Sequence, residues 1–142
     1  MNDKASLCFI DSNIWLYAFI SNPEEKRKSE TAKQIILTEN IAISTQVINE
    51  VSVNLIKKAK FSESVIRDLI QDFYFQYRVI SIDSTIQINA SKLRQNYCFS
   101  YWDSLIIASA LSARAKILYS EDMQNELVVD DVLTVINPFT IS

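Results

Sequence analysis

Short apolar runs alternate with longer helix-compatible stretches along this chain, and the alternation restricts the folds open to it. Apolar runs of strand length lie at 7–10, 41–43, 79–82, 117–119 and 133–136. Their apolar character is too continuous for a sheet that shows one face to water. The pattern predicts an α/β fold, a three-layer α/β/α sandwich on a central parallel sheet. A length of 142 residues fits one domain over 1–142.

Capping signals predict where helices separate these strands. The predicted helices cover 14–20 and 26–37, a segment capped by Ser44 or Thr45, a segment from Ser62 to about Gln76, a segment opened by a Ser84–Gln87 capping box, and a segment from near Ser100 to about Arg114. Helices between successive strands supply the crossovers that a parallel sheet requires.

The chain contains no glycine, although average usage of about 7% would give roughly ten. Phosphate-cradling loops of the P-loop or dinucleotide type are therefore excluded. Turns must rely on Asn, Asp, Ser and the two prolines. Asn is the expected substitute where the backbone needs a positive φ.

Composition narrows the kind of site that is expected. The chain has no histidine and no close cysteine pair, which argues against a zinc site, so any metal must be bound by oxygen. Cys8 and Cys98 are expected to be reduced and structural. No secretory signal or membrane-length apolar run is present, so a soluble cytoplasmic protein without a membrane partner is expected.

Four carboxylates sit where an apolar run gives way to a helix start or a turn: Asp11, Glu50, Asp103 and Asp122. A doubly wound sheet can gather such residues in one crevice at the carboxyl ends of its strands, where hard divalent cations are held. The net charge of −3 does not oppose a nucleic acid partner. Setting aside these four proposed ligands changes it to +1.

Three of these acids also have a purely structural explanation. Asp11 can cap the first helix, Asp103 can be the acidic third residue of a helix capped by Ser100, and Asp122 can be a turn residue. Glu50 differs because it lies past the first turn of its helix beside buried positions, where an unpaired carboxylate is unfavourable. A site without function requires all the structural explanations to hold together.

At these residues the sequence resembles the PIN-domain family, particularly the bacterial toxin-like ribonucleases of the VapC type. The matching segments are Phe9-Ile-Asp-Ser-Asn-Ile-Trp-Leu-Tyr17, Ser44-Thr-Gln-Val-Ile-Asn-Glu50, Ser100-Tyr-Trp-Asp-Ser-Leu-Ile-Ile-Ala108, Leu118-Tyr-Ser-Glu-Asp-Met123 and Val135-Ile-Asn-Pro-Phe139. The resemblance implies hydrolysis of phosphodiester bonds in single-stranded RNA with one or two Mg²⁺ or Mn²⁺ ions. It also implies the toxin role in a toxin–antitoxin pair and an antitoxin protein as partner.

Carried over residue by residue, the resemblance makes Asp11, Glu50, Asp103 and Asp122 the catalytic and metal-binding acids. Ser12 matches the family's hydroxyl beside the first acid, and Asn13 the amide that follows it. One departure from the family concerns the loop after the fourth acid. Glu126 stands about where related members have a glycine, so this loop is expected to differ in shape. Glu121 is then a competitor of Asp122 for the metal.

Crowding of aromatic residues on the first helix predicts a homodimer. Trp15, Tyr17 and Phe19 carry more aromatic surface than one buried face easily hides, and aromatic side chains are favoured at interfaces. The family resemblance adds a groove for an antitoxin segment.

Other function classes fit the sequence less well. A phospho-accepting signalling domain would have paired acids after the first strand and a lysine after the last, whereas Asp11 stands alone and Lys116 precedes its strand. A dehalogenase-like phosphatase would need a second aspartate near Asp11-Ser12-Asn13. The alternative that stays open is a catalytically silent PIN-like domain that only binds RNA or protein.

Overall fold

A computed structural model describes residues 6–140 of the chain. Within that range the strands are β1 Leu7–Ile10, β2 Asn40–Ser44, β3 Arg78–Ile80, β4 Ile117–Tyr119, β5 Val128–Val129 and β6 Leu133–Ile136. The α-helices are α1 Ser12–Phe19, α2 Lys26–Thr38, α3 Thr45–Ala59, α4 Glu63–Gln76, α5 Ser84–Asn96 and α6 Tyr101–Ser112, with a 3₁₀ turn at Pro23–Glu25.

The strands form one sheet in the order β3-β2-β1-β4-β6-β5. Every neighbouring pair is parallel except β5 and β6, which are antiparallel. The predicted parallel sheet is therefore confirmed in its centre, while the antiparallel edge strand was not predicted. Two residues are too few to show a periodicity, and β5 owes its extended form to pairing with β6.

The direction in which successive strands are added to the sheet reverses at β1, and this reversal divides the helices into two layers. Strands β2 and β3 are added on one side of β1, and the chain then crosses back to place β4 on its other side. Because parallel crossovers are right-handed, α1 to α4 cover one face and α5 and α6 the other. The packing agrees, since α1 contacts α2 and α3, α3 contacts α4, and α5 contacts α6. The predicted α/β/α sandwich is confirmed.

Some predicted boundaries were wrong for local reasons. Helix α5 is capped by Asp83, whose carboxylate accepts the backbone N–H of Ile86 over 3.0 Å, so Ser84 is the first helical residue and not the cap of a capping box. Strand β3 runs from Arg78 to Ile80 and not from 79 to 82. Ile82 lies in the short loop that leads to the N-cap of α5. Helix α6 stops before Arg114, whose φ of 61° is left-handed.

In this chain without glycine, the described residues that take a positive φ are not the expected Asn. Five described residues have a positive φ: Lys60, Arg114, Glu126, Asp130 and Asp131. Glu126 has a φ of 67°, so it takes the left-handed conformation that a glycine adopts without cost. The backbone at residue 126 thus has a conformation open to glycine, and the expected difference in the shape of the loop after Asp122 stays a prediction.

The aromatic residues of α1 pack against their own chain. Trp15 is only 1% exposed, and its ring meets Phe73 at 5.0 Å and Phe19 at 6.0 Å between centroids. Tyr17 lies half-buried against Phe139 at 5.0 Å. The surplus of exposed aromatic surface that predicted a homodimer is thus largely covered within the chain.

The remaining core and surface features agree with the sequence. Cys8 is buried in β1 and Cys98 is exposed, and both thiols are free. Burial raises the pKa of Cys8 to about 12, as for an unreactive core thiol. Among residues 6–140, no helix combines the length and apolar character needed to cross a bilayer.

Candidate active site

Asp11 leaves β1 directly and begins α1. Its extended backbone makes it the N-cap, and its Oδ1 accepts the backbone N–H of Ser12 over 2.7 Å. The structural explanation for Asp11 as a cap is thus correct, but it occupies one carboxylate oxygen only. Oδ2 accepts the hydroxyl of Ser120 over 2.8 Å and the side-chain amide of Asn13 over 3.4 Å. Asp11 is 7% exposed, so a buried carboxylate is held at the end of a central strand.

Asn13 connects the start of α1 to the segment after β4. Its amide donates to Asp122 Oδ2 over 3.1 Å, and its Oδ1 accepts the backbone N–H of Glu121 over 3.2 Å. Because β1 and β4 are neighbours in the sheet, residues 109 positions apart meet here. The sequence placed Asn13 beside the first acid by resemblance alone, and the structure supplies its contacts.

The side chains of Asp122 and Glu121 line two different cavities. Glu121 forms an ion pair with Lys28 and accepts the hydroxyl of Tyr17 over 2.7 Å. Asp122 is exposed and lines the same crevice as Asp11. Glu121 instead lines a neighbouring cavity beside α1, where it is paired with Lys28.

The closing Asn-Pro-Phe motif supports the loop that bears these two acids. The backbone N–H of Asn137 donates to Asn125 Oδ1 over 2.8 Å, and the side-chain amide of Asn137 donates to the carbonyl of Glu121 over 3.4 Å. Phe139 closes the other side by packing on Tyr17. The motif therefore fixes the position of residues 121–125 through these contacts.

Glu50 comes from the second turn of α3. Ser44 ends β2 and caps this helix by accepting the backbone N–H of Val47 over 3.4 Å. Glu50 is half-buried, and its Oε2 accepts the side-chain amide of Gln46 over 3.2 Å. Gln46 also donates to the carbonyl of Trp102 over 3.4 Å, which links α3 to α6 across the crevice.

Asp103 is the third residue of α6. Ser100 caps this helix by accepting the Asp103 N–H over 3.1 Å, as the spacing predicted. The helix is buried from Ser104 to Ala110, so its first turn is the part that reaches the crevice. Packing of α6 into the core thus places the Asp103 carboxylate near the carboxyl ends of β1 and β4.

These segments enclose a crevice of about 280 Å³ beyond the carboxyl ends of β1, β2 and β4. All four predicted acids line it, together with Ser12 and Asn13. The full lining is Asp11, Ser12, Asn13, Gln46, Glu50, Asn54, Trp102, Asp103, Ile106 and Asp122.

Sequence reasoning missed four residues of this neighbourhood: Ser120, Gln46, Trp102 and Lys28. Ser120 and Gln46 act through hydrogen bonds between segments far apart in sequence, which no local pattern reveals. Lys28 is part of an amphipathic helix and became identifiable only through its ion pair. Trp102 had a visible signal, since a tryptophan directly before a candidate ligand is unusual on a solvated helix start.

The carboxylates influence one another electrostatically. Burial raises the pKa of Asp11 to about 6, and the negative charges of Glu50 and Asp103 act in the same direction. Hydrogen bonds from Ser120 and Ser12 oppose that rise. Burial also raises the pKa of Asp103, and the charge of Asp122 adds to it. The four acids therefore form one cluster whose repulsion a cation would relieve.

The donor chemistry of the crevice fits a hard divalent cation. Its acids are oxygen ligands, and the chain has no histidine to select a softer metal. A volume of about 280 Å³ leaves room for an ion with several of its waters. Among residues 6–140, no three acidic side chains stand close enough together to share one metal ion as they are placed.

Ligands of doubly wound sheets bind where the strand order reverses, and here that place is a crevice of carboxylates between β1 and β4. The fold and crevice together define an α/β protein with an acidic, oxygen-donor site. Within that class the chain belongs to the PIN domain family, whose profile matches residues 8–127. The resemblance predicted from its four acidic motifs is confirmed.

Solved structures with the same fold include toxins of bacterial toxin–antitoxin pairs. A chain of a toxin–antitoxin complex from Klebsiella pneumoniae has a TM-score of 0.69 at 22% identity, covering 94% of this chain and 99% of that one. VapC20 of Mycobacterium tuberculosis, a sarcin–ricin loop cleaving toxin, has a TM-score of 0.63 at 16% identity, covering 78% and 86%.

A third similar structure is VapBC2 of Rickettsia felis bound to a DNA fragment from its promoter. Its matched chain has a TM-score of 0.61 at 17% identity, and the match covers 92% of this chain and 99% of that one. At these identities the likeness is one of fold. A search of curated proteins found no match to this chain.

Proposed function

We propose that this protein is a metal-dependent endoribonuclease that hydrolyses phosphodiester bonds of single-stranded RNA. One observation carries the proposal: four carboxylates from four separate segments line one crevice at the switch point of a PIN-domain sheet. Separate caps and turns would have no reason to converge on one cavity. The similarity in fold to an RNA-cleaving toxin supports the choice of RNA.

The residues of the crevice have different roles in binding Mg²⁺ or Mn²⁺ and the substrate. Asp11 is the central ligand, because Ser12, Ser120 and Asn13 hold its two oxygens in place. Asp103 is a second ligand, and Asp122 is a ligand or an outer partner held by Asn13. With a pKa of about 6, Asp11 is ionised and able to bind a cation above neutral pH.

Glu50 completes the site from the α3 side, where Gln46 orients its carboxylate toward the shared crevice wall. It binds a second ion or positions the attacking water. When bound, the cation provides a deprotonated water and neutralises charge on the phosphate and the leaving oxygen. The chain itself supplies no histidine base, so the carboxylates orient water and substrate.

We also propose that the protein is the cytoplasmic toxin of a toxin–antitoxin pair. The three structures compared above are toxin–antitoxin proteins, and they support this role. A cavity of about 420 Å³ adjoins the acid crevice through Asn13, and its wall combines apolar Leu16 and Ile20 with the charged residues Glu25, Lys58 and Glu121. Such a wall suits an antitoxin segment with apolar side chains. A neighbouring reading frame for a small DNA-binding protein is the expected genomic observation.

The homodimer remains part of this proposal, although Trp15 and its neighbours are covered within the chain. Its support is the family resemblance. Light scattering at tens of micromolar protein is expected to give the mass of a dimer, and a monomeric mass would remove this part of the proposal without touching the nuclease.

The test of the nuclease uses purified protein, a mixed pool of single-stranded RNA and millimolar Mg²⁺ or Mn²⁺. Wild type should cleave, and Asp11→Asn and Asp103→Asn should lose cleavage by orders of magnitude. Asp72→Asn, an exposed acid on α4 outside the crevice, is the matched control and should cleave like wild type. Cleavage that survives excess EDTA, or persists in both crevice variants, would show that this site is not responsible. Wild type that binds RNA but cleaves none would favour the silent binding module.

A further inference from the structure

Two aromatic side chains stand exposed at the rim of the acid crevice. Trp102 is 62% exposed and lines the crevice, and Tyr101 beside it is 52% exposed. Trp102 directly precedes Asp103 in the sequence, and both residues line the crevice. Large exposed aromatic surface is unfavourable in water, and its position beside a polar crevice needs a reason.

The aromatic pair is held in place by its surroundings. The two rings meet at 76° with 5.2 Å between centroids. The Arg94 guanidinium lies 4.4 Å from the centroid of the Tyr101 ring and donates to Ser104 Oγ over 2.7 Å. On the other side, Gln46 donates to the carbonyl of Trp102. Neighbouring contacts thus order the pair before any ligand arrives, which lowers the entropy cost of binding.

Charge at this rim also suits a nucleic acid. Arg94 comes from α5 and brings a positive charge to the Tyr101 ring, which contacts Trp102, whereas the charged residues that line the crevice are all carboxylates. A guanidinium against an aromatic ring beside open aromatic surface is a combination found in sites for single-stranded nucleic acids. Bases of a single strand are free to stack, whereas bases of a duplex are already stacked on each other.

We infer that Trp102, ordered by Tyr101 and Arg94, is a stacking platform for a base of the single-stranded RNA substrate next to the cleaved phosphate. The inference rests on the proposed nuclease function, and it adds the residue that positions the substrate. A nucleotide whose phosphate enters the crevice has its neighbouring base at the crevice wall, and Trp102 is the aromatic part of that wall. Stacking accepts any base, so this platform provides affinity and the preference for unpaired strands.

The chain offers a direct optical test, because it has two tryptophans and only Trp102 is exposed. Trp15 is 1% exposed and donates its indole N–H to the carbonyl of Ile10 over 3.1 Å, so acrylamide should reach Trp102 far more readily. The Asp11→Asn variant is titrated with short single-stranded RNA oligonucleotides to separate binding from cleavage. We expect RNA to quench the Trp102 emission and to shield it from acrylamide, and a duplex of the same length to do neither.

Substitutions then assign the effect to the ring. In the Asp11→Asn background, Trp102→Leu should weaken RNA binding roughly fivefold to a hundredfold, and Trp102→Phe should keep most of the affinity. Phe75→Leu is the control, since Phe75 is 89% exposed on α4 and precedes Gln76, which lies near the amino ends of the strands, at the end of the sheet opposite the crevice. It should bind RNA like its parent. Circular dichroism confirms that each variant is folded.

Each contrary result has a distinct meaning. The platform is overturned, with the nuclease left intact, if Trp102→Leu leaves the RNA affinity of Asp11→Asn unchanged. It is also overturned if Trp102→Leu in a protein with Asp11 intact cleaves RNA with the KM of wild type. Quenching of Trp102 by RNA, together with a wild-type protein that cleaves no RNA in Mg²⁺ or Mn²⁺, supports base stacking on Trp102 and overturns the nuclease. Shielding of Trp102 that grows with protein concentration in the absence of RNA overturns the platform in favour of contact with a second copy of the chain.

Discussion

The hydroxyl of Ser120 donates to Asp11 Oδ2 over 2.8 Å and so joins the ends of two neighbouring strands, β4 and β1. The same hydroxyl oxygen accepts the backbone N–H of Asp122 over 3.3 Å. One fully buried serine therefore contacts both the carboxylate of Asp11 and the backbone of Asp122. Its removal should disturb both, which makes Ser120 a positioning residue.

Ser120→Ala should raise the pKa of Asp11 further, because this hydrogen bond favours the ionised carboxylate. The acidic limb of the pH profile for cleavage should then move to higher pH. Stability should fall by about 1.5–3 kcal/mol at pH 8, where Asp11 is charged, and by less near pH 4.5, where it is protonated. Ser109→Ala is the control, since Ser109 is also buried but donates to Leu105 within α6. An unchanged pH profile for Ser120→Ala would contradict this role.

Asp11→Asn should make the metal-free protein more stable at alkaline pH. The pKa of Asp11 is raised from 3.8 to about 6 in the folded state, so its ionisation costs stability. This cost is absent below about pH 4, grows between pH 4 and 6, and is complete above pH 6, where it amounts to about 3 kcal/mol. Urea unfolding in EDTA should show Asp11→Asn gaining up to that amount at pH 8 and little near pH 4. A variant less stable than wild type at pH 8 would contradict the expected direction.

Mn²⁺ or Mg²⁺ at millimolar concentration should raise the melting temperature, because an ion that binds only the folded state stabilises it by linkage. Asp11→Asn and Asp122→Asn should reduce this shift. Glu121→Gln should keep it, since Glu121 is paired with Lys28 away from the crevice. Identical melting curves of wild type in EDTA and in Mn²⁺ would refute a metal site, and loss of the shift in Glu121→Gln alone would reverse the assignment of the fourth acid.

Glu126→Gly should be more stable than Glu126→Ala by about 1 kcal/mol. Residue 126 has a φ of 67°, where a Cβ atom is crowded and glycine is not. Both variants remove the same charge, so their difference isolates the backbone conformation. Chemical denaturation of the two proteins measures it, and equal stabilities would show that the left-handed conformation is not strained.

Much of the fold was predictable because its signals are local. Apolar runs such as Leu7–Ile10 and Leu133–Ile136 have the length and continuity of buried strands, and Ser44, Ser62 and Ser100 cap helices as their spacing indicates. Asp11, Asp103 and Asp122 were identifiable for the same reason, since each follows a strand or lies in the first turn of a helix. Glu50, in the second turn of α3, was identifiable as an acid beside buried positions. Edge strand β5 was not, because two residues become a strand only by pairing with β6.

By itself, then, the sequence determined the alternation of strands and helices, the oxygen-only donor set and the positions of the acids along the chain. Tertiary structure decided which side chains meet. It turned Glu121 to Lys28 and left Asp122 in the crevice, brought Ser120 to Asp11, and placed Trp102 on the rim. The physical reason is that these contacts join segments held together by the sheet order, and that order depends on packing of the whole chain and not on any local pattern.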